Sequence, residues 1–146
     1  MEKSTLVEIL RTFSKDELTS FGELAASPYF NKKTNLTKLC KALNKFAPAF
    51  PAEKITKEEM WKLIFPGKKY NYGIMKNLIY DLNKLAVKFI ELETYSQKSF
   101  DNDLNILDGY RLKNLKSLFI KKAAETRKRL SARQLDNLSY YYSYMI

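Results

Sequence analysis

The chain contains no histidine, and that absence excludes more chemistry than any residue present supplies. Histidine is the commonest general base, the usual activator of a nucleophile and the commonest transition-metal ligand. A single cysteine, Cys40, cannot form an internal disulfide, and without histidine it cannot complete a zinc site of the usual cysteine/histidine kind. Cys40 falls among Leu36, Leu39 and Leu43 at helical spacing, where a free cysteine behaves as a small buried hydrophobe. Four glycines and four prolines in 146 residues leave few breaks, so long helices are expected. No run of about 18 apolar residues occurs, and Met1-Glu-Lys-Ser4 opens onto no apolar signal core. A cytoplasmic protein is the expectation.

Enzymatic motifs are also scarce. Pro66-Gly67-Lys68-Lys69 lacks the upstream glycine and the Ser/Thr partner of a phosphate-cradling loop. Asp101-Asn-Asp103-Leu-Asn105 resembles the opening of a calcium loop but lacks its later glycine and glutamate. No nucleophile–base pair can be assembled, so no catalytic residue, cofactor or metal ligand is expected.

What is present is helical pattern and positive charge. The composition is 45% hydrophobic and 14% aromatic, well above the range of disordered chains. Leu6, Ile9, Leu10 and Phe13 mark a first helix over about residues 4–12. Ser14-Lys-Asp-Glu17 is a capping box that opens a second, and Ser27-Pro28 ends it. Leu36, Leu39, Cys40, Leu43 and Phe46 mark a third. Thr56 with Glu59 reads as another capping box, leading through Met60, Leu63 and Ile64 to the stop at Pro66-Gly67.

The pattern beyond that stop predicts a long helix over 72–93. At 100° per residue, Ile74, Met75, Leu78, Ile79, Leu82, Leu85, Ala86, Phe89, Ile90 and Leu92 share an arc about 160° wide, the mark of a central helix. Further apolar periods run from Leu104 to Leu130. Ser131 with Gln134 reads as a third capping box, opening a last helix through Leu135, Leu138, Tyr142 and Met145. That helix meets Ile146 without a glycine, lysine or proline stop, so a longer helical region is expected to follow.

The predicted architecture is all-α. It comprises an orthogonal helical bundle over residues 1–96 with a winged-helix-like or helix-turn-helix-like centre, followed by a helical hairpin extension over 97–146.

The formal charge is +10, and its densest block is Arg111, Lys113, Lys116, Lys121, Lys122, Arg127, Lys128, Arg129 and Arg133, opposed within that stretch by Glu125 alone. Such a block attracts nucleic acid or an acidic protein, although most charge runs are simply solvated. Two candidate contact surfaces follow. For nucleic acid they are Lys68, Lys69, Lys76, Asn77, Tyr80 and Lys84, in which lysine meets phosphate or guanine and asparagine reads adenine; Asp81 on the same face would oppose phosphate. For a partner surface they are Tyr140, Tyr141 and Tyr144, since four tyrosines around one helix cannot all be buried.

Phe13-Ser-Lys-Asp-Glu-Leu18, Ser27-Pro-Tyr-Phe-Asn-Lys32, Leu63-Ile-Phe-Pro-Gly-Lys-Lys-Tyr-Asn71 and Asn77-Leu-Ile-Tyr-Asp-Leu82 together resemble a family of uncharacterised bacterial all-helical proteins. The resemblance covers about residues 6–130 and implies further helices downstream. It implies no activity. Residues 56–85 look more weakly like the helix-turn-helix of bacterial activators, with lysines where those favour arginines and no clear wing. The function expected is a non-catalytic helical interaction or scaffold module, its partner a protein or a further part of its own chain. A cytoplasmic DNA-binding regulator is the alternative.

Overall fold

The computed structural model describes residues 4–132 and 137–145, and among them finds eight α-helices and no strand: α1 (Thr5–Thr12), α2 (Lys15–Ala26), α3 (Thr34–Asn44), α4 (Lys57–Ile64), α5 (Tyr72–Gln97), α6 (Ser99–Leu112), α7 (Lys116–Ser131) and α8 (Asn137–Met145). The fold class is all-α. Packing separates two units, Met1–Glu91 and Leu92–Ile146, with the division falling inside α5.

The first unit is built by local rules. Ser4 caps α1, its hydroxyl accepting the Val7 N–H. At α2 the capping box is complete: Ser14 Oγ accepts the Glu17 N–H, and Glu17 accepts the Ser14 N–H at 2.7 Å. That bond holds the Glu17 carboxyl below the usual carboxylate range. At α4 only half the expected box forms. Thr56 accepts the Glu59 N–H, but the Glu59 side chain turns instead to Lys62, 2.5 Å away. A lysine one turn along competes with the cap for the same carboxylate.

Asn31 explains the Ser27–Lys32 motif. Its amide donates to the Ala25 carbonyl at 2.8 Å and its oxygen accepts the Lys33 N–H at 2.7 Å, joining the end of α2 to the start of α3. Thr37 Oγ1 donates to the same Ala25 carbonyl. α3 then lies closest to its neighbours, with α2 on one side and α4 on the other. On the α2 side the Asn44 amide donates to the Leu18 carbonyl at 3.1 Å.

The core of this unit draws on α1 to α5, and three phenylalanines tie it together. The Phe89 ring lies 5.1 Å from Phe13 and 5.7 Å from Phe21, and those two are 5.8 Å apart. Phe50 is fully buried although its φ is +43°, and its carbonyl accepts a bond from Arg11. Burial of a whole aromatic side chain outweighs the roughly 1–3 kcal/mol that such a backbone costs.

α5 buries Met75, Leu78, Leu82, Leu85, Ala86 and Phe89. Ile74, Ile90 and Leu92 lie at the margins of the arc read from sequence, and all three are exposed. The buried stripe is therefore narrower than expected, and α5 flanks the core with one side open.

In the second unit α6 and α7 pack closely, and α8 packs on α7. α6 ends in a Schellman turn. Asn114 takes φ +57°, the Leu115 N–H bonds the Tyr110 carbonyl at 2.8 Å and the Asn114 N–H bonds that of Arg111. Asparagine replaces the usual glycine here because it tolerates the left-handed region. The expected Ser131/Gln134 box lies partly outside the described residues.

Two measurements test this packing. Phe89→Ala should lower the stability of the first unit by about 3–5 kcal/mol in urea unfolding, and a loss under about 1 kcal/mol would contradict it. Burial pushes the Cys40 thiol from 9.0 up to about 12. The unfolded chain loses that proton first, so this burial costs stability only as pH rises above 9. At about pH 8 native Cys40 should resist a thiol reagent until the chain unfolds; reaction at the denatured rate would contradict its burial.

Candidate functional site

The loop before α5 is fixed by aromatic packing. The Trp61 indole N–H donates to the Lys68 carbonyl at 2.9 Å, and its ring sits 4.3 Å from Phe65 and 5.6 Å from Tyr70. Gly67 supplies φ +75°, which a side chain would strain. Asn71 Oδ1 then accepts the Ile74 N–H and caps α5. Lys68 and Lys69 are thereby held on an ordered turn and exposed.

Along α5, Lys76, Tyr80, Lys84 and Val87 recur on successive turns of the outer side, with Asn77 beside them, and all five are exposed. Lys84 Nζ lies 5.0 Å from the centre of the Tyr80 ring. Lys76 and Tyr80 also line a shallow depression of about 300 Å³ with Asn83, Ile79 and the first residues of α1. Exposed Tyr72 and Ile74 add apolar area near the start of the helix. Lys57 Nζ sits 4.6 Å from the Tyr72 ring. Among the described residues no carboxylate pairs with Lys68, Lys69, Lys76 or Lys84.

Asp81 behaves otherwise than its position in the sequence implied. Lys33 Nζ, from the start of α3, lies 2.6 Å from its carboxylate. The charge expected to oppose phosphate is neutralised by a residue 48 positions away. No local pattern carries such a pair.

The tyrosine surface lies on α8 in the second unit. Tyr140, Tyr141 and Tyr144 are exposed, Tyr144 at 94%. Tyr142 is buried, its hydroxyl donating to Asp101 Oδ1 at 2.7 Å and its ring 5.2 Å from Phe100. The sequence marked this helix without saying which tyrosine turns inward.

Sequence reasoning missed the buried acid of the second unit. Asp103 is only 4% exposed. Lys122 Nζ approaches it at 2.9 Å, the Thr126 hydroxyl donates to it at 2.9 Å, and Arg129 pairs with it while lying over the Phe100 ring. The hydrogen bond to Asp103 holds the Lys122 ammonium above the ordinary lysine range. Its stabilising effect is full below that range and lost as pH rises through the raised value. Lys122, Thr126 and Arg129 occupy one face at helical spacing; that was the available signal. Two members of the basic block are thus structural, and Arg111 pairs with Asp108 at 3.1 Å.

Among the described residues, no group of three His, Cys, Asp or Glu side chains could hold a metal ion. No described helix is long and apolar enough to cross a membrane. Comparison with protein-family models, with curated proteins and with solved structures yields no match.

Asp103→Asn should leave two cations facing a neutral amide. It should cost about 2 kcal/mol, below the usual range for a broken buried pair because Arg129 keeps access to water. Hydrogen exchange of the α6 and α7 amides in the whole chain reads it; unchanged protection would show that the acid holds nothing together.

Proposed function

We propose that this chain is a non-catalytic helical interaction module that engages an acidic protein surface through the outer side of α5. The observation carrying this reading is the combination on one helix of Lys76 and Lys84, neither with a carboxylate partner among the described residues, with exposed Tyr80 and Val87. Lysines alone are ordinary on a solvated helix. Large apolar side chains interleaved with them are what a protein partner covers, and a phosphate backbone makes no use of valine. Exposed Lys68 and Lys69 extend the positive surface from a turn whose Lys68 carbonyl is held by the Trp61 indole.

A DNA-binding regulator is the second reading, and one observation favours it. Lys33 pairs with Asp81 and so offsets its acidic charge on the face that would meet DNA. Lys68, Lys69, Lys76, Asn77, Tyr80 and Lys84 would then present residue types competent for phosphate and base contact.

A photo-crosslinking residue in place of Tyr80, used in cells, separates the two. A discrete protein adduct that resists nuclease and disappears when Val87→Glu is added supports the first reading. Duplex DNA binding that weakens steeply with salt, and is lost in folded Lys76→Glu/Lys84→Glu, would replace it with the second.

A further inference from the structure

The tip of the α6–α7 hairpin carries a second exposed apolar surface, built by the turn itself. The Schellman geometry at Asn114 brings Tyr110 of α6 and Leu115 together, as the hydrophobic partners of that motif usually are. Phe119 and Ile120 from α7 complete a depression of about 350 Å³ whose walls are mostly apolar. Ile120 is 68% exposed and Leu112, at the end of α6, 77%. Leu115, which also lines the depression, is exposed as well. A run of large apolar side chains open to water at one end of a hairpin marks an interaction site more often than chance exposure.

The rim fixes the sign of what belongs there. Arg111 and Lys116 line it, both exposed, and exposed Lys113 stands on the turn next to Asn114. The nearby acid, Asp108, is already paired with Arg111. An occupant must therefore bring apolar side chains for the concavity and carboxylates for the rim. We propose that the α6–α7 tip docks an acidic amphipathic helix of a partner protein, its apolar stripe seated on Tyr110, Phe119 and Ile120 and its flanking carboxylates on Lys113 and Lys116. The concavity favours a helix over an anionic lipid surface, because a depression receives a side chain from a rod whereas a bilayer is entered by a protrusion. This site is independent of the α5 surface.

The test uses the whole chain and a fluorescein-labelled synthetic peptide of about 20 residues, with leucine at helical i, i+3, i+4 spacing and glutamate elsewhere. Fluorescence anisotropy should show saturable binding that weakens with salt. Ile120→Glu and Lys116→Glu, both at exposed positions, should each weaken it by about tenfold or more. Lys76→Glu/Lys84→Glu on α5 should leave it unchanged. A peptide of the same composition with the stripe scrambled should bind at least about tenfold more weakly. The proposal is overturned if the peptide does not bind, if the scrambled peptide binds equally, or if Ile120→Glu has no effect in a protein whose circular dichroism is unaltered. It is also overturned if the tip instead holds phosphatidylserine vesicles, or if the wild-type chain dimerises through it and Ile120→Glu restores the monomer.

Discussion

Contact among Phe13, Phe21 and Phe89 is the interaction on which the arrangement of the first unit depends. Three rings from the end of α1, the middle of α2 and the later half of α5 meet edge to face or tilted. Aromatic pairs of this kind add about 0.5–1.5 kcal/mol each beyond the area they bury. Their directional effect matters more here. With Phe89 locked inward, the helix period turns Tyr80 and Val87 outward whatever their own hydrophobicity. The exposed surface is therefore a consequence of core packing.

Charge in this protein divides into two populations with different work. Lys122 and Arg129 are spent on the buried Asp103, and Lys33 is spent on Asp81 at the surface. Lys68, Lys69, Lys76, Lys84, Lys113 and Lys116 remain exposed without an acidic partner among the described residues. A formal total of +10 gives no hint of this partition. The unspent charges lie beside exposed apolar side chains in each unit, on the outer side of α5 and around the α6–α7 tip.

Much of the helical order was legible because its signals are local. Ser14 with Glu17, Ser27-Pro28 and Pro66-Gly67 act within a few residues, and each marks a helix end in the structure. The margins of the α5 arc were not legible, since Ile74 and Ile90 are buried only if a neighbour reaches them. The exposure of Lys68, Lys76 and Lys84 followed from pattern, whereas the Lys33–Asp81 pair is a long-range contact with no periodic trace. Asp103 misled for a related reason. Its neighbours Asp101 and Asn105 resemble a cation loop, while its real partners sit on the next helix.

The proposed contact role requires α5 to have a locked inner side and an outer side open to a partner. Single cysteines placed along α5 in a Cys40→Ser background, labelled in purified protein and again in intact cells, measure this directly. Positions 75, 82 and 86 should stay unreactive in both settings. Positions 76, 80, 84 and 87 should label rapidly in purified protein and become protected in cells. Equal labelling of the outer positions in both settings would contradict the claim that this side is a contact surface.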